Sequence, residues 1–228
     1  EMAHAATALS WVYGEVAAVI TSIGPGALQA MAASLVASSN GIGVYHIYGD
    51  ETTHGEGYNM QQVPKPAQGV FSQITSLMGA SYTLHSPGGL RDGLRKGATC
   101  VFHPWRPGPF YMNLPLNTQP EPVTLRLDAL PMRPAYPAMA PADDRALTEA
   151  AQVIAGASRV AIKAGGGARH AANAVRRLAE AAGAVVVLSP GSVGVLPDAH
   201  AQNMHVGGSK GSISGNWAME RAEVLVVI

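Results

Sequence analysis

Residues Val16 to Met31 read VAAVITSIGPGALQAM. A run of small apolar residues gives way to Gly24-Pro25-Gly26, and helical spacing follows. Leu28, Met31, Leu35 and Val36 stand at i, i+3, i+7 and i+8, which predicts a helix with one apolar face. A buried strand over Glu15 to Thr21, a tight turn and a helix make the opening unit of a parallel α/β sheet. Glycine lets main chain lie close to a ligand, proline fixes one dihedral, and a helix start offers unsatisfied N–H groups. The turn also stands at the carboxyl end of a strand, where open α/β sheets bind ligands. An ordinary tight strand-to-helix turn is the competing reading.

The same alternation runs outward in both directions. Glu1 to Tyr13 reads as a helix, with His4 among alanines as a partly buried histidine. Asn40-Gly41 stops the second helix. Ile42 to Tyr48 reads as a strand, and a long polar loop runs from Gly49 to about Pro66, carrying Gln61-Gln62. Long loops at strand ends are often functional, and amides both donate and accept; plain solvation is the alternative. Phe71 to Met78 is helical, Tyr82 to His85 a strand, Pro87 to Cys100 a helix, and Phe110 to Leu114 a strand after the Arg106 to Pro109 turn. Residues 119–142 are dense in proline and lack a sustained period, so they read as an interdomain linker.

Asp143 or Asp144 caps a helix that runs to about Gly156. Arg159 to Lys163 is a strand, Gly165-Gly166-Gly167 a turn, Ala171 to Ala182 a helix, and Ala184 to Leu188 a strand. Gly211 to Ala222 forms a helix and Glu223 to Ile228 the last strand. The series is Rossmann-like in outline. The expected organisation is therefore 1–118, a linker over 119–142, and 143–228. Both ends fall inside a predicted element, so the chain is expected to be a segment of a longer polypeptide.

Composition narrows the function. Among 228 residues only 13% are charged, Lys plus Arg equals Asp plus Glu, and 47% are hydrophobic. Bulk charge therefore argues against nucleic acid or anionic membrane as a partner. No apolar run reaches the roughly 20 residues of a membrane span, and no signal-peptide pattern is visible. A cytoplasmic protein is expected. Cys100 is the only cysteine, which excludes an internal disulfide. The eight histidines do not cluster; His200 and His205 have no H-E-x-x-H pattern, and no metal site is expected.

Gly165 to Gly167 could carry a dinucleotide phosphate, but the G-x-G-x-x-G spacing is absent and Val185 to Leu188 ends in Ser189-Pro190 rather than an acid. Gly207-Gly208-Ser209-Lys210-Gly211 matches G-x-S-x-G, but the preceding AHAQNMHV does not read as the strand a nucleophile elbow needs.

In order and spacing these features resemble the thiamine-diphosphate enzymes of the acetolactate synthase type. Residues 1–118 are similar to the pyrimidine-binding domain and 143–228 to the start of the central domain, both incomplete. Four stretches are most similar to the trihydroxycyclohexane-1,2-dione hydrolases of myo-inositol breakdown. They are Met2 to Ala8, Ser22 to Ala27, Gly49-Asp50 with Met60 to Pro66, and Gly207 to Ile228. The resemblance implies a specific role for the opening turn. Gly24, Pro25 and Gly26, with Gln29 behind them, would rest against the aminopyrimidine ring of thiamine diphosphate, and Gln62 would face substrate. It implies cleavage of a C–C bond next to a carbonyl with the cofactor as electron sink. The substrate would be a cyclic dione or, in an acetolactate synthase-type carboligase, a keto acid. A homodimer or homotetramer is implied as well. Some relatives hold FAD against the central domain, which would fall at Gly165 to Gly167; the resemblance does not itself call for it.

The sequence departs from the family in three places. The catalytic glutamate would precede Glu1, so no catalytic residue is assigned. Gln29 stands where the family has asparagine, and Pro64 where it has an acid. The Mg²⁺- and diphosphate-binding signature is absent from these residues. Gln29 and Pro64 are mild evidence for an alternative, a non-catalytic scaffold paralogue.

Overall fold

The computed structural model describes residues 1–54, 69–136 and 143–228. Gln61, Gln62 and Pro64 lie outside the described residues. The chain divides into two compact units, Glu1–Tyr136 and Pro137–Ile228. Each is α/β with a four-stranded sheet whose strand pairs are all parallel.

The first unit runs α1 (Met2–Tyr13), β1 (Ala17–Thr21), α2 (Pro25–Asn40), β2 (Val44–Asp50), α3 (Val70–Met78), β3 (Ser81–Thr83), α4 (Leu90–Val101) and β4 (Pro109–Pro115). Its strand order is β1-β2-β4-β3. The central pair aligns Val44 with Pro109 through Asp50 with Pro115. Residues of α1, α2 and α3 pack on one face with Val44, Tyr48 and Tyr111. Leu90, Leu94 and Val101 of α4 pack on the other with Phe110 and Met112.

The turn signals hold where a glycine is needed. Gly41 ends α2 with φ 62°, a left-handed value that suits glycine. The buried face of α2 differs from expectation. Ala27, Ala30, Met31, Ser34 and Ala37 are buried, while Leu28, Leu35 and Val36 are exposed at 46%, 54% and 39%. Periodicity favoured the largest apolar side chains. Apart from Met31, the sheet instead takes the small ones, because Tyr48 and Tyr111 already fill the space beneath α2. His4 is exposed rather than partly buried. Gly49 and Asp50 belong to β2 and not to the loop, because their register with Leu114 and Pro115 extends the ladder.

A polar cluster lies inside this core. The Ser34 and Tyr111 hydroxyls are 2.5 Å apart, and Ser34 also donates to the Met31 carbonyl at 2.6 Å. The Tyr48 hydroxyl and His46 Nδ1 are 2.8 Å apart. Asn113 Nδ2 donates to Thr75 Oγ1 at 3.0 Å. Burial pushes the His46 imidazole down to about 4, so it is neutral at neutral pH.

The proline-rich stretch is not all linker. Residues up to Tyr136 belong to the first unit. The Arg133 guanidinium lies 5.6 Å from the centre of the Phe102 ring, and Leu127–Ala129 forms a 3-10 turn. Proline removes regular hydrogen bonding without preventing such side-chain packing.

The second unit runs α5 (Asp144–Gly156), β5 (Val160–Ala164), α6 (Ala172–Ala182), β6 (Val185–Leu188), β7 (Asn203–Val206), α7 (Ile213–Arg221) and β8 (Val224–Val227). Asp143 caps α5 by accepting from Arg145 N at 2.8 Å. The strand order β7-β6-β5-β8 is the third, second, first and fourth strand of the unit, which is Rossmann-like. Strand β7 corrects the sequence reading of AHAQNMHV. It lies at a sheet edge and is pinned by polar bonds: Asn203 Nδ2 donates to the Pro197 carbonyl at 3.1 Å, and Asn203 Oδ1 accepts from His205 N at 2.9 Å. Such a strand shows no apolar alternation. Ser209 stands three residues beyond the end of β7 at Val206, not on an elbow directly after it. Gly165-Gly166-Gly167 opens into a 3-10 helix, Gly166–Ala171.

Candidate functional site

The site begins with the turn between β1 and α2. Gly24 has φ 71° and ψ −122°, a conformation open to glycine and costly for other residues. Pro25 opens the first turn of α2, where its missing N–H is not needed. The Leu28 N–H donates to the Gly24 carbonyl at 2.9 Å, closing that turn. Gly26 serves a different purpose, because a Cβ there would stand 3.0 Å from Ser22 Oγ. A Cβ on Gly49 would stand 3.1 Å from the Ile23 nitrogen. Two glycines thus shape the turn, and a third lets it rest on the end of β2.

A cavity of about 360 Å³ opens at this place, over the carboxyl ends of β1, β2 and β4. Ile20, Ile23, Ile47 and Leu114 give it apolar walls, and Ser22 and Asp50 contribute polar groups. A second cavity of about 270 Å³ shares Asp50, Glu51 and Thr52 with the first. It adds Ser72, Thr83 and His85, so most of the residues that line it carry a polar group. The Ser72 and Thr83 hydroxyls are 3.0 Å apart. Asp50, Glu51 and Thr52 are all buried, and Asp50 Oδ1 accepts from Glu51 N at 2.8 Å.

Asn117, just past β4, reaches the segment that follows β2. Its Oδ1 accepts from Thr53 N at 2.8 Å and from Thr52 Oγ1 at 3.1 Å, and its Nδ2 donates to Thr53 Oγ1 at 2.9 Å.

The candidate residues read from sequence distribute unevenly. Gly24 is buried, Gly26 half-buried and Pro25 exposed, directly after the cavity-lining Thr21 to Ile23. They follow the lining residues in the chain and do not themselves line the cavity. Gln29 lies one helical turn further on and is exposed. Gln62 lies outside the described residues. Sequence reasoning missed Glu51 and Thr52 as cavity lining and Asn117 as their neighbour. Only the position of Asp50-Glu51 at a strand end could have signalled the first pair.

In the second unit, Gly165 N donates to the Ile228 carbonyl at 2.7 Å, and a Cβ on Gly165 would stand 3.2 Å from that oxygen. Lys163 Nζ donates to the Leu188 carbonyl at 2.8 Å and to the Gly207 carbonyl at 2.6 Å. Desolvation lowers the pKa of this ammonium. It ties β5 to the end of β6 and to the loop after β7. Among the described residues no group of three or more His, Cys, Asp or Glu side chains is placed to hold a metal ion. Among them, too, no helix is long and apolar enough to cross a membrane.

Residues 147–228 match the family described as thiamine pyrophosphate enzyme, central domain. Similarity extends through the first unit as well. The chain is 27% identical over 230 residues to an acetolactate synthase of Mycobacterium bovis, covering 99% of this chain and 36% of that protein. It is 24% identical over 230 residues to the acetolactate synthase large subunit of Corynebacterium glutamicum, again covering 99% of this chain and 36% of that protein. A stretch of 124 residues is 32% identical to the acetolactate synthase isozyme 1 large subunit of Escherichia coli, covering 54% of this chain and 22% of that protein. The chain thus spans about a third or less of the length of these relatives. It is related to thiamine pyrophosphate enzymes of the acetolactate synthase type.

Proposed function

We propose that this chain supplies the pyrimidine-binding unit and part of the central unit of a thiamine-diphosphate enzyme that acts on a keto acid, as a decarboxylase and carboligase of the acetolactate synthase type. The observation that carries this reading is that a single similarity to acetolactate synthases runs through both units, over 99% of the chain. The first cavity supports it. Its volume of about 360 Å³, apolar walls and few polar groups suit a flat ring with polar substituents, such as an aminopyrimidine. Among the described residues, those that line this cavity fit the ring end of the cofactor. A diphosphate with Mg²⁺ needs a cluster of oxygen ligands, which would come from residues outside this chain.

When bound, thiamine diphosphate supplies an electron sink for a carbanion next to a carbonyl. The residues of this chain act around it. Ile20, Ile23, Ile47 and Leu114 exclude water from the ring's faces, and the Gly24 to Gly26 turn bounds its seat. Asp50 and Glu51 stand at the junction of the two cavities, and Gln62 follows them in the chain as the substrate contact. The enzyme would be cytoplasmic and would assemble as a homodimer or homotetramer. The exposed Leu9 and Val12 of α1 and Leu28, Leu35 and Val36 of α2 support an interface there.

A second reading, hydrolysis of a cyclic 1,2-dione, has one observation in its favour. The second cavity is lined by Ser72, Thr83, Thr52, Thr53 and two carboxylates, which suit a hydroxyl-rich ring better than a keto acid's carboxylate. Full-length protein incubated with thiamine diphosphate and Mg²⁺ decides between the two. Release of CO₂ from pyruvate with formation of acetolactate supports the first. Ring opening of a cyclic dione without CO₂ supports the second. Turnover of neither, with no heat of cofactor binding, leaves a scaffold protein.

A further inference from the structure

Asn117 makes three hydrogen bonds to two consecutive residues that are 64 and 65 positions away in the chain, and the one from the Thr52 hydroxyl shares its single proton with the His54 carbonyl at 2.5 Å. The three bonds to Asn117 fall between 2.8 and 3.1 Å. The contact with Thr53 is two-point: the amide oxygen accepts the Thr53 N–H while the amide nitrogen donates to the Thr53 hydroxyl. A carboxamide carries both roles on neighbouring atoms of one planar group.

The base of this clamp is itself fixed. Leu116 N donates to the Asp50 carbonyl at 3.2 Å, carrying the β2–β4 ladder one step past Pro115. Thr118 N and Gln119 N both donate to the Pro115 carbonyl, at 2.9 and 3.2 Å, closing a turn around Asn117. Gln119 Nε2 donates to the Leu114 carbonyl at 2.8 Å. The amide therefore projects from a turn hydrogen-bonded to the central strands. What it holds is Thr52 and Thr53, and Thr52 lines both cavities next to Glu51.

We propose that Asn117 is a positioning residue. By fixing Thr52 and Thr53 it sets where Glu51 and Thr52 stand at the junction of the two cavities, and so tunes binding of the carbonyl substrate without touching the thiamine ring. The functional half of this proposal rests on the reading given above; the structural half does not.

The test uses full-length protein and two variants. Asn117→Ala removes all three bonds. Asn117→Asp keeps both acceptor bonds, and the Thr53 hydroxyl can turn to donate to the carboxylate. Amide hydrogen exchange at Thr53 should rise at least tenfold in Asn117→Ala and stay within about threefold of wild type in Asn117→Asp, with exchange in α1 and α4 unchanged. With pyruvate as the probe, KM should rise about tenfold in Asn117→Ala at a kcat within about threefold, with the Kd for thiamine diphosphate unchanged, and Asn117→Asp should restore KM. The proposal is overturned if Thr53 exchange does not respond. It is overturned equally if exchange rises across the whole first unit, or if KM is unmoved while Thr53 is released. If wild-type protein does not turn over pyruvate, the acetolactate synthase-type reading fails, and Thr53 exchange alone decides whether the clamp exists.

Discussion

Gly49 stands against Ile23: a Cβ on the glycine would lie 3.1 Å from the Ile23 backbone nitrogen. The end of strand β2 and the loop after β1 thus meet main chain to main chain, beside the first cavity. Because the neighbour is backbone, it cannot swing away as a side chain would. Gly49→Ala should lower stability by about 1–3 kcal/mol and weaken binding of thiamine diphosphate to the full-length protein. Urea unfolding and calorimetric titration measure the two effects, and unchanged values for both would remove the contact from the account.

Gly43 is a harsher position. A Cβ there would overlap the Val101 carbonyl at the end of α4. Gly43→Ala should cost about 3 kcal/mol or more, or prevent soluble expression. Gly167→Ala is the control, since nothing lies within 4 Å of its added Cβ; its stability should stay within about 0.5 kcal/mol of wild type.

The buried hydroxyl pair predicts non-additivity. Ser34→Ala leaves the Tyr111 hydroxyl buried without its partner and should cost about 1–3 kcal/mol. Tyr111→Phe removes the hydroxyl with its need and leaves Ser34 donating to Met31, so it should cost about 1 kcal/mol. The double variant should be more stable than the sum of the two losses implies. A double-mutant cycle by chemical denaturation measures the difference, and strict additivity would show that the hydroxyls do not interact.

His46 gives the first unit an acid dependence. Its folded value is lowered to about 4 by burial, against 6.5 for the ordinary group. Above pH 6.5 the group is neutral in both states and contributes nothing to the pH slope. As pH falls from 6.5 towards 4, the unfolded chain takes up a proton that the folded core refuses, so stability is lost through that window. The loss reaches about 3 kcal/mol. In His46→Asn that component disappears. The stability gap between wild type and variant at pH 7 should therefore shrink by about 3 kcal/mol by pH 4. A gap that does not change with pH would mean that His46 is not buried as a neutral group.

The alternation of strand and helix was legible because its signals are local. VAAVI before Gly24-Pro25-Gly26, Asn40-Gly41 after α2 and Asp143 before α5 each need only neighbours within a few residues. The missed features depend on distant partners. The buried face of α2 was misread because Tyr48 and Tyr111, from strands still to come, leave room there mainly for alanine and serine, with Met31 the one large side chain. Strand β7 carries Asn203 and His205, and its hydrogen bonds to Pro197 and within its own backbone replace the apolar alternation that marks most strands. The site was legible as a place, the strand end at Thr21 to Gly26. It was not legible as a lining, because Asp50, Glu51, Thr52 and Asn117 are brought together only by the β2–β4 pairing.

We propose that the turn from Thr21 to Gly26 bounds the seat of an aminopyrimidine ring. A crystal structure of the full-length protein with thiamine diphosphate and Mg²⁺ tests it most directly. Ring atoms are expected within about 4 Å of main-chain or side-chain atoms between Thr21 and Gly26, with Ile20 or Ile47 against a ring face. A ring seated elsewhere, with the cavity beside Ser22 and Ile23 filled by side chains or solvent, would contradict it.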